Sequence, residues 1–259
     1  MTTRPSIVRI DVITLFPDWV SQLEAFGVVG RGLREQRLTL ACWNPRDHGQ
    51  RADGRVDDRS YGGGPGMVMQ YGPLAATLAA IRRARDDGAQ VILMSPAGER
   101  FDQRWAERLA MSEGFILVAG RYEGIDQRFI DQHVDIELSM GDFVLSGGEL
   151  PAMTVIDAVA RLVDGVLGDA RSAVEDSFTA DTLDHPHYTR PADHGEAGDV
   201  PAVLLSGDHA AIAAWREKQA LGMTWLRRPE RVAEMALSRS QTRLLKEFIA
   251  EQNTATDDE

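Results

Sequence analysis

The chain has 259 residues, 43% hydrophobic and 26% charged, with a formal net charge of −12. That is enough for one large domain, or a medium one with a smaller companion. A single cysteine, Cys42, excludes an internal disulfide and any cysteine-rich metal site, and no apolar run approaches the roughly 18 residues of a membrane span. The N-terminus enters a strand pattern without a signal-peptide layout, so the expected location is the cytoplasm.

In chain order, strand-like runs occur at Ile7–Leu15, Leu38–Trp43, Gln90–Met94, Phe115–Ala119, Val134–Leu138 and Phe143–Ser146. Helical patterns lie among them at Asp18–Phe26, Pro73–Asp86, Gln103–Met111 and Asp126–Gln132, and Pro151–Val163 closes the series. Such alternation predicts an α/β domain with a mostly parallel sheet. The stretch Gly165–Gly198 has little periodicity and reads as a long linker. A short strand at Val203–Ser206 is expected next, then helices near Asp208–Leu221, Pro229–Leu237 and Arg239–Gln252, with Ser206 or Asp208 as a cap. Asn253–Glu259 reads as a disordered tail.

Glycine marks the places where chemistry is expected. S-P-A-G at Ser95–Gly98, A-G-R-Y-E-G-I at Ala119–Ile125 and the G-D-F-V-L-S-G-G-E-L-P run ending at Pro151 each follow a hydrophobic segment. They read as loops at one end of a parallel sheet, converging on one pocket. A fourth, D-D-R-S-Y-G-G-G-P-G-M-V-M at Asp57–Met69, matches neither a Walker A loop nor G-x-G-x-x-G after a strand, which weakens a nucleotide-dependent Rossmann reading.

The overall negative charge disfavours nucleic acid, but its distribution does not. Between Trp215 and Lys246 lie eight basic residues against Glu217, Glu230 and Glu234. On composition alone this is either a solvated helical face or an RNA-binding surface. Trp215, Trp225, Arg227 and Arg228 combine rings and cations of the kind RNA contacts use, with Trp225 equally suited to a core. His185 and His187, in H-P-H, lack a neighbouring cysteine and make a poor zinc site; Asp184, His187 and Tyr188 suit the ordering of the linker.

The ordered set of D-V-I-T-L-F-P (11–17), D-D-R-S-Y-G-G-G-P-G-M (57–67), S-P-A-G (95–98), A-G-R-Y-E-G-I-D (119–126), G-D-F-V-L-S-G-G-E-L-P-A-M (141–153), E-D-S-F (175–178), H-P-H-Y-T-R-P (185–191), P-A-V-L-L-S-G-D-H (201–209) and W-L-R-R-P-E (225–230) resembles the bacterial tRNA (guanine-N1-)-methyltransferase family. The likeness runs from about Ile10 to Phe248. Met94, Ser60, Met140 and Phe143 depart from the family's usual residues.

The resemblance implies a SPOUT-type methyltransferase domain over 1–168 with a deep trefoil knot, an interdomain linker over 169–198, and a small helical tRNA-binding domain over 199–259. It implies methyl transfer from S-adenosylmethionine to N1 of the guanosine 3′ of the anticodon, which supports reading-frame maintenance. A homodimer with a shared active site is expected, with magnesium needed at a site the motifs do not place. Cofactor contacts fall on Ser95, Pro96, Gly120, Tyr122, Glu123, Met140, Gly141, Phe143, Leu145, Gly147 and Gly148. Glu123 would face the ligand's cationic part, or else pair with Arg121 or Arg128. Methylating N1 requires removing its proton and stabilising charge on O6. Asp176 resembles the base, although the sequence alone makes it a loop acid or cap. Arg161 resembles the arginine that meets O6, although it also suits an i,i+4 pair with Asp157. Rival readings are a methyltransferase of the same fold for another RNA atom and a non-catalytic RNA-binding protein.

Overall fold

The computed structural model describes residues 5, 7–49, 54–85, 87–168, 176–193, 195 and 198–257. The chain divides into two compact units, 1–170 and 171–259.

In the first unit the strands are β1 (Val8–Ile13), β2 (Leu38–Trp43), β3 (Asp57–Asp58), β4 (Val68–Met69), β5 (Gln90–Arg100), β6 (Gly114–Ala119) and β7 (Ile136–Ser139). Five of them form one sheet in the order β2-β1-β6-β5-β7, and every pairing in it is parallel. β3 and β4 pair separately as a short antiparallel ribbon. The helices are α1 (Pro17–Ser21), α2 (Gly27–Arg34), α3 (Tyr71–Ala84), α4 (Gln103–Ala110), α5 (Gln127–His133) and α6 (Glu149–Ala160).

The pleat explains the layering. Alternate residues of a strand face opposite ways, and both faces of this sheet are covered, as a parallel sheet requires. Phe115 and Leu117 of β6 join Val8, Ile10 and Val12 of β1 in a core against α4 and α6, through Trp105, Leu109, Val155, Ile156 and Val159. Ile116 and Val118 face the other way, packing with Leu74, Leu78 and Ile81 of α3 and Phe129 of α5. β6 is buried at all of its residues. A Leu→Ala change at its centre should therefore cost about 2–5 kcal/mol.

Three sequence expectations in this unit need correction. Phe143–Ser146 forms no strand. Glycine at 141 and the Gly147–Gly148 pair turn the segment away from the sheet, Phe143 N–H donates to the Gly141 carbonyl at 2.9 Å, and Val144 is 87% exposed. α2 was not expected, because Gly27, Gly30 and Gly32 lower its helix propensity; Gly32 is there because Leu38 and Val166 pack directly on it. β5 runs on to Arg100, well past Met94.

The second unit carries α7 (Ala202–Leu205), α8 (His209–Arg227), α9 (Pro229–Glu234) and α10 (Arg239–Asp257). α7 replaces the expected strand: Pro201 opens a turn in which Leu204 N–H donates to the Pro201 carbonyl at 2.9 Å. Asp208 caps α8, its carboxylate accepting from the Ala210 and Ala211 amides. α10 continues through Asp257, so Asn253–Asp257 is helical where a tail was expected. Leu221, Leu244 and Leu245 form this unit's core, with Trp225 packed on it. Of the expected linker, residues 169–175 lie outside the described residues, and 176–198 show turns and bends with one isolated bridge, Asp193 to Asp199, among those described.

Candidate active site

Three neighbouring strands, β6, β5 and β7, end side by side, and their C-terminal ends open into a cleft of about 520 Å³. Ser95 and Pro96 come from β5, Gly120, Tyr122 and Glu123 from the loop after β6, and Met140, Gly141, Phe143, Leu145, Gly147 and Gly148 from the loop after β7. All eleven expected cofactor-binding residues line this one cleft. The position follows the rule that open α/β sheets bind ligands beyond the carboxyl ends of their strands, and the volume suits a small-molecule site.

Local geometry explains how the walls form. β5 pairs with β7 through Met94 opposite Leu138, leaves the ladder for four residues, and returns with Glu99 opposite the same Leu138. That excursion is Ser95–Gly98, pushed into the cleft as a bulge that re-aims side chains. Gly98 is required at its end, since a Cβ there would collide with the Glu137 carbonyl. At the opposite wall a Cβ on Gly148 would lie 2.7 Å from Ala119 Cα, so only glycine lets the start of α6 cross the end of β6. Ser139 steadies the exit of β7, its hydroxyl oxygen accepting from Gly141 N–H at 3.1 Å.

Glu123 is an exposed carboxylate on the cleft. Its backbone is fixed, donating to the Met67 carbonyl at 2.9 Å, while Met69 N–H donates to the Gly124 carbonyl. The glycine loop 57–69 thus braces the segment that carries it. Both arginines named as alternative partners of Glu123 are engaged elsewhere. Arg121 binds Glu149 at 2.8 Å, and Arg128 binds Asp126 at 2.6 Å and holds that carboxyl below the usual range. Among the described residues Glu123 has no ion pair, which leaves its charge for the cleft.

Arg161 does not line the cleft. Arg161 is the C-cap of α6, its N–H donating to the Asp157 carbonyl at 3.3 Å. With α6 spanning 12 residues, it lies about 20 Å along the axis from Gly148. Asp176 belongs to the second unit, where its carboxylate accepts from the Ser177 amide at 2.9 Å.

In the second unit Asp184, His185 and His187 form a compact cluster. His187 Nε2 lies 2.8 Å from one Asp184 oxygen, and the His185 amide donates to the other at 2.7 Å. The His185 ring meets Trp215 edge-on at 6.2 Å, and Tyr188 lies 6.3 Å from the same indole. Magnesium prefers a set of hard oxygen ligands in octahedral array, and this imidazole-rich group does not fit it. It is the only cluster of three potential ligand groups among the described residues.

Sequence reasoning missed a buried polar group behind the cleft wall. Glu149, 0% exposed in the first turn of α6, accepts from Thr14 Oγ1 at 2.9 Å and from Arg121 Nε at 2.8 Å. An acid directly after a Gly-Gly pair at a helix start was the available signal. Its partner Thr14, 135 residues away, was not foreseeable.

Comparison with known proteins agrees with this geometry. The family described as tRNA (Guanine-1)-methyltransferase TrmD matches residues 8–234. A tRNA (guanine-N(1)-)-methyltransferase of Halorhodospira halophila is 55% identical over 251 residues, covering 97% of this chain and 95% of the relative. Proteins of the same name from Methylococcus capsulatus and Xanthomonas axonopodis pv. citri are 53% and 55% identical, each covering 94% of this chain and 97% of the relative. With the match running from the first strand to the last turn of α9, the chain belongs to the tRNA (guanine-1)-methyltransferase family.

Proposed function

We propose that this protein transfers the methyl group of S-adenosylmethionine to N1 of a guanine in tRNA, at the nucleotide 3′ of the anticodon. The observation that carries the reading is the convergence of all eleven expected cofactor residues on one cleft, with the Glu123 carboxylate unpaired among the described residues. Family membership and relatives more than 50% identical support it from a separate direction.

The residues fit the cofactor. The loops' amides and carbonyls would hold the adenine edge, beside the exposed side chains of Tyr122, Phe143 and Leu145. Glu123 would oppose the cationic end of the ligand. When bound, the cofactor supplies an electrophilic methyl on a sulfonium. Asp176 would take the N1 proton, and Arg161 would stabilise the charge that then grows on O6. The N1 proton would move to the Asp176 carboxylate as N1 takes the methyl, whose bond to sulfur would break to leave a neutral thioether.

Arg161 does not line the cleft of its own unit. This supports an active site completed by a second copy, and hence a homodimer. The close crossings at Gly98 and Gly148 support a deeply threaded chain of the trefoil-knot kind, the expectation for this family. The basic stretch from Arg216 to Lys246, exposed at Arg227 and Arg228, suits the tRNA backbone. No step is assigned to magnesium, since the Asp184, His185 and His187 group, the one three-ligand cluster among the described residues, is too rich in imidazole for it.

The test is transfer of labelled methyl to two tRNAs differing only at the guanosine after the anticodon. Label is expected on the guanosine-bearing tRNA alone. Equal labelling of both would overturn the reading.

A further inference from the structure

Behind the cleft wall sits a charged group that no step of the chemistry uses. Glu149 has no solvent exposure, and both carboxylate oxygens are occupied. Burying a carboxylate is costly unless it is paired and hydrogen-bonded, so its partners report what it holds. Thr14, at the exit of β1, donates to one oxygen and itself accepts from the Phe16 amide at 2.9 Å. Arg121, in the loop after β6, donates to the other through Nε, while its Nη1 reaches the Ser146 carbonyl at 3.1 Å. The guanidinium lies over the Phe16 ring at 4.5 Å and the Trp19 ring at 5.5 Å. Gly147 is glycine for this reason, since a Cβ there would occupy the place of the Arg121 side chain.

We infer that Thr14, Glu149 and Arg121 are positioning residues that fix the Ser146–Gly148 wall of the cleft against the Gly120–Gly124 wall. The two walls share one backbone bond, Gly148 N–H to the Gly120 carbonyl at 2.9 Å. One bond at a glycine pair sets a distance but not an orientation. Arg121 supplies the second constraint because its fork is planar: Nε and Nη1 point in fixed relative directions, so binding Glu149 and Ser146 together sets the angle between α6 and the loop. The inference rests on the cleft being the S-adenosylmethionine site, since an orientation matters only if a ligand reads both walls.

The test measures S-adenosylmethionine binding by calorimetry, and tRNA binding separately, on the full-length wild type, Glu149→Ala, Glu149→Gln and Arg121→Lys. Leaving a buried partner unsatisfied corresponds to about 5- to 150-fold in affinity. Glu149→Ala and Arg121→Lys should each weaken cofactor binding by about tenfold or more within that range. Their tRNA affinity should change by no more than about twofold, which general loss of structure would not allow. Glu149→Gln keeps an acceptor for Arg121 in the same place, and should stay within about threefold of wild type. If Glu149→Ala fails to fold, Arg121→Lys decides, because lysine keeps the charge and loses the fork. Wild-type cofactor affinity in folded Glu149→Ala, or in Arg121→Lys, overturns the inference, as does a Glu149→Gln defect equal to that of alanine. A wild type that binds no S-adenosylmethionine overturns the reading of the cleft itself, which is a distinct result.

Discussion

The two units solve opposite problems. In the first, charge is taken inside and consumed. Asp11 is buried against Arg85 at 2.6 Å and accepts from Trp43 Nε1, while Glu149 is held by Thr14 and Arg121. In the second, charge stays at the surface in short pairs such as Lys218 with Glu251 and Arg228 with Glu230, around a core of a few leucines. A cleft for one small molecule needs walls set to a fraction of an ångström, and buried paired charges give that rigidity. A surface for a polyanion needs reach and cations, and surface pairs cost little to break. On the proposed function, the contrast places specificity in fixed geometry in one unit and in distributed charge in the other.

The largest test of that division is at Asp176. Asp176→Ala should lower turnover about 10²- to 10⁴-fold while cofactor affinity stays within about twofold, by single-turnover kinetics and calorimetry. Near-normal turnover would remove it as the base. Arg161→Ala should raise the barrier by about 2–4 kcal/mol with little change in cofactor binding; a rate within twofold of wild type would return Arg161 to a purely helical role. Gly98→Ala should reverse this pattern. Forcing a Cβ against the Glu137 carbonyl should cost about 1–3 kcal/mol in stability or cofactor affinity, read from denaturant midpoints and binding titrations.

Smaller effects concern the second unit and the surface. Replacing Arg227 and Arg228 together should flatten the salt dependence of tRNA affinity by up to about two in log–log slope, leaving cofactor affinity unchanged. An unchanged slope would take these arginines off the RNA surface. The smallest is at Asp87, whose carboxyl the Arg85 guanidinium holds below the usual range. A lowered native pKa contributes stability that is present above the ordinary carboxylate range and lost as pH falls through the native value. The stability gap between wild type and Asp87→Asn should therefore shrink below about pH 4, by urea unfolding at two pH values.

Much of this was legible because parallel strands announce themselves. Phe115–Ala119 and Val91–Met94 are buried on both faces, so they read as short apolar runs, the first bounded by glycine on both sides. The cleft was legible for a related reason, since glycines at strand ends mark close backbone passage. The failures have physical causes too. Phe143–Ser146 has strand composition, but its apolar side chains line a cavity and find no neighbouring strand. α2 hid behind glycines that serve packing. Val203–Ser206 is a short apolar run that suits a strand as well as a helix, and the preceding proline starts a turn. The pairing of Glu149 with Thr14 was out of reach, because a hydrogen bond spanning 135 residues leaves no local trace.

The bulge at Ser95–Gly98 has a consequence for inhibitor design. Where a wall is carbonyls and amides set by chain path, recognition does not depend on which side chains stand there. A compound that lies on those groups, in place of Tyr122 or Phe143, meets few single-residue escape routes. To evade it the protein must re-route a segment that crosses another at van der Waals distance. Such a change would also disturb the pairing of β5 with β7, so resistance and folding are coupled at the same four residues.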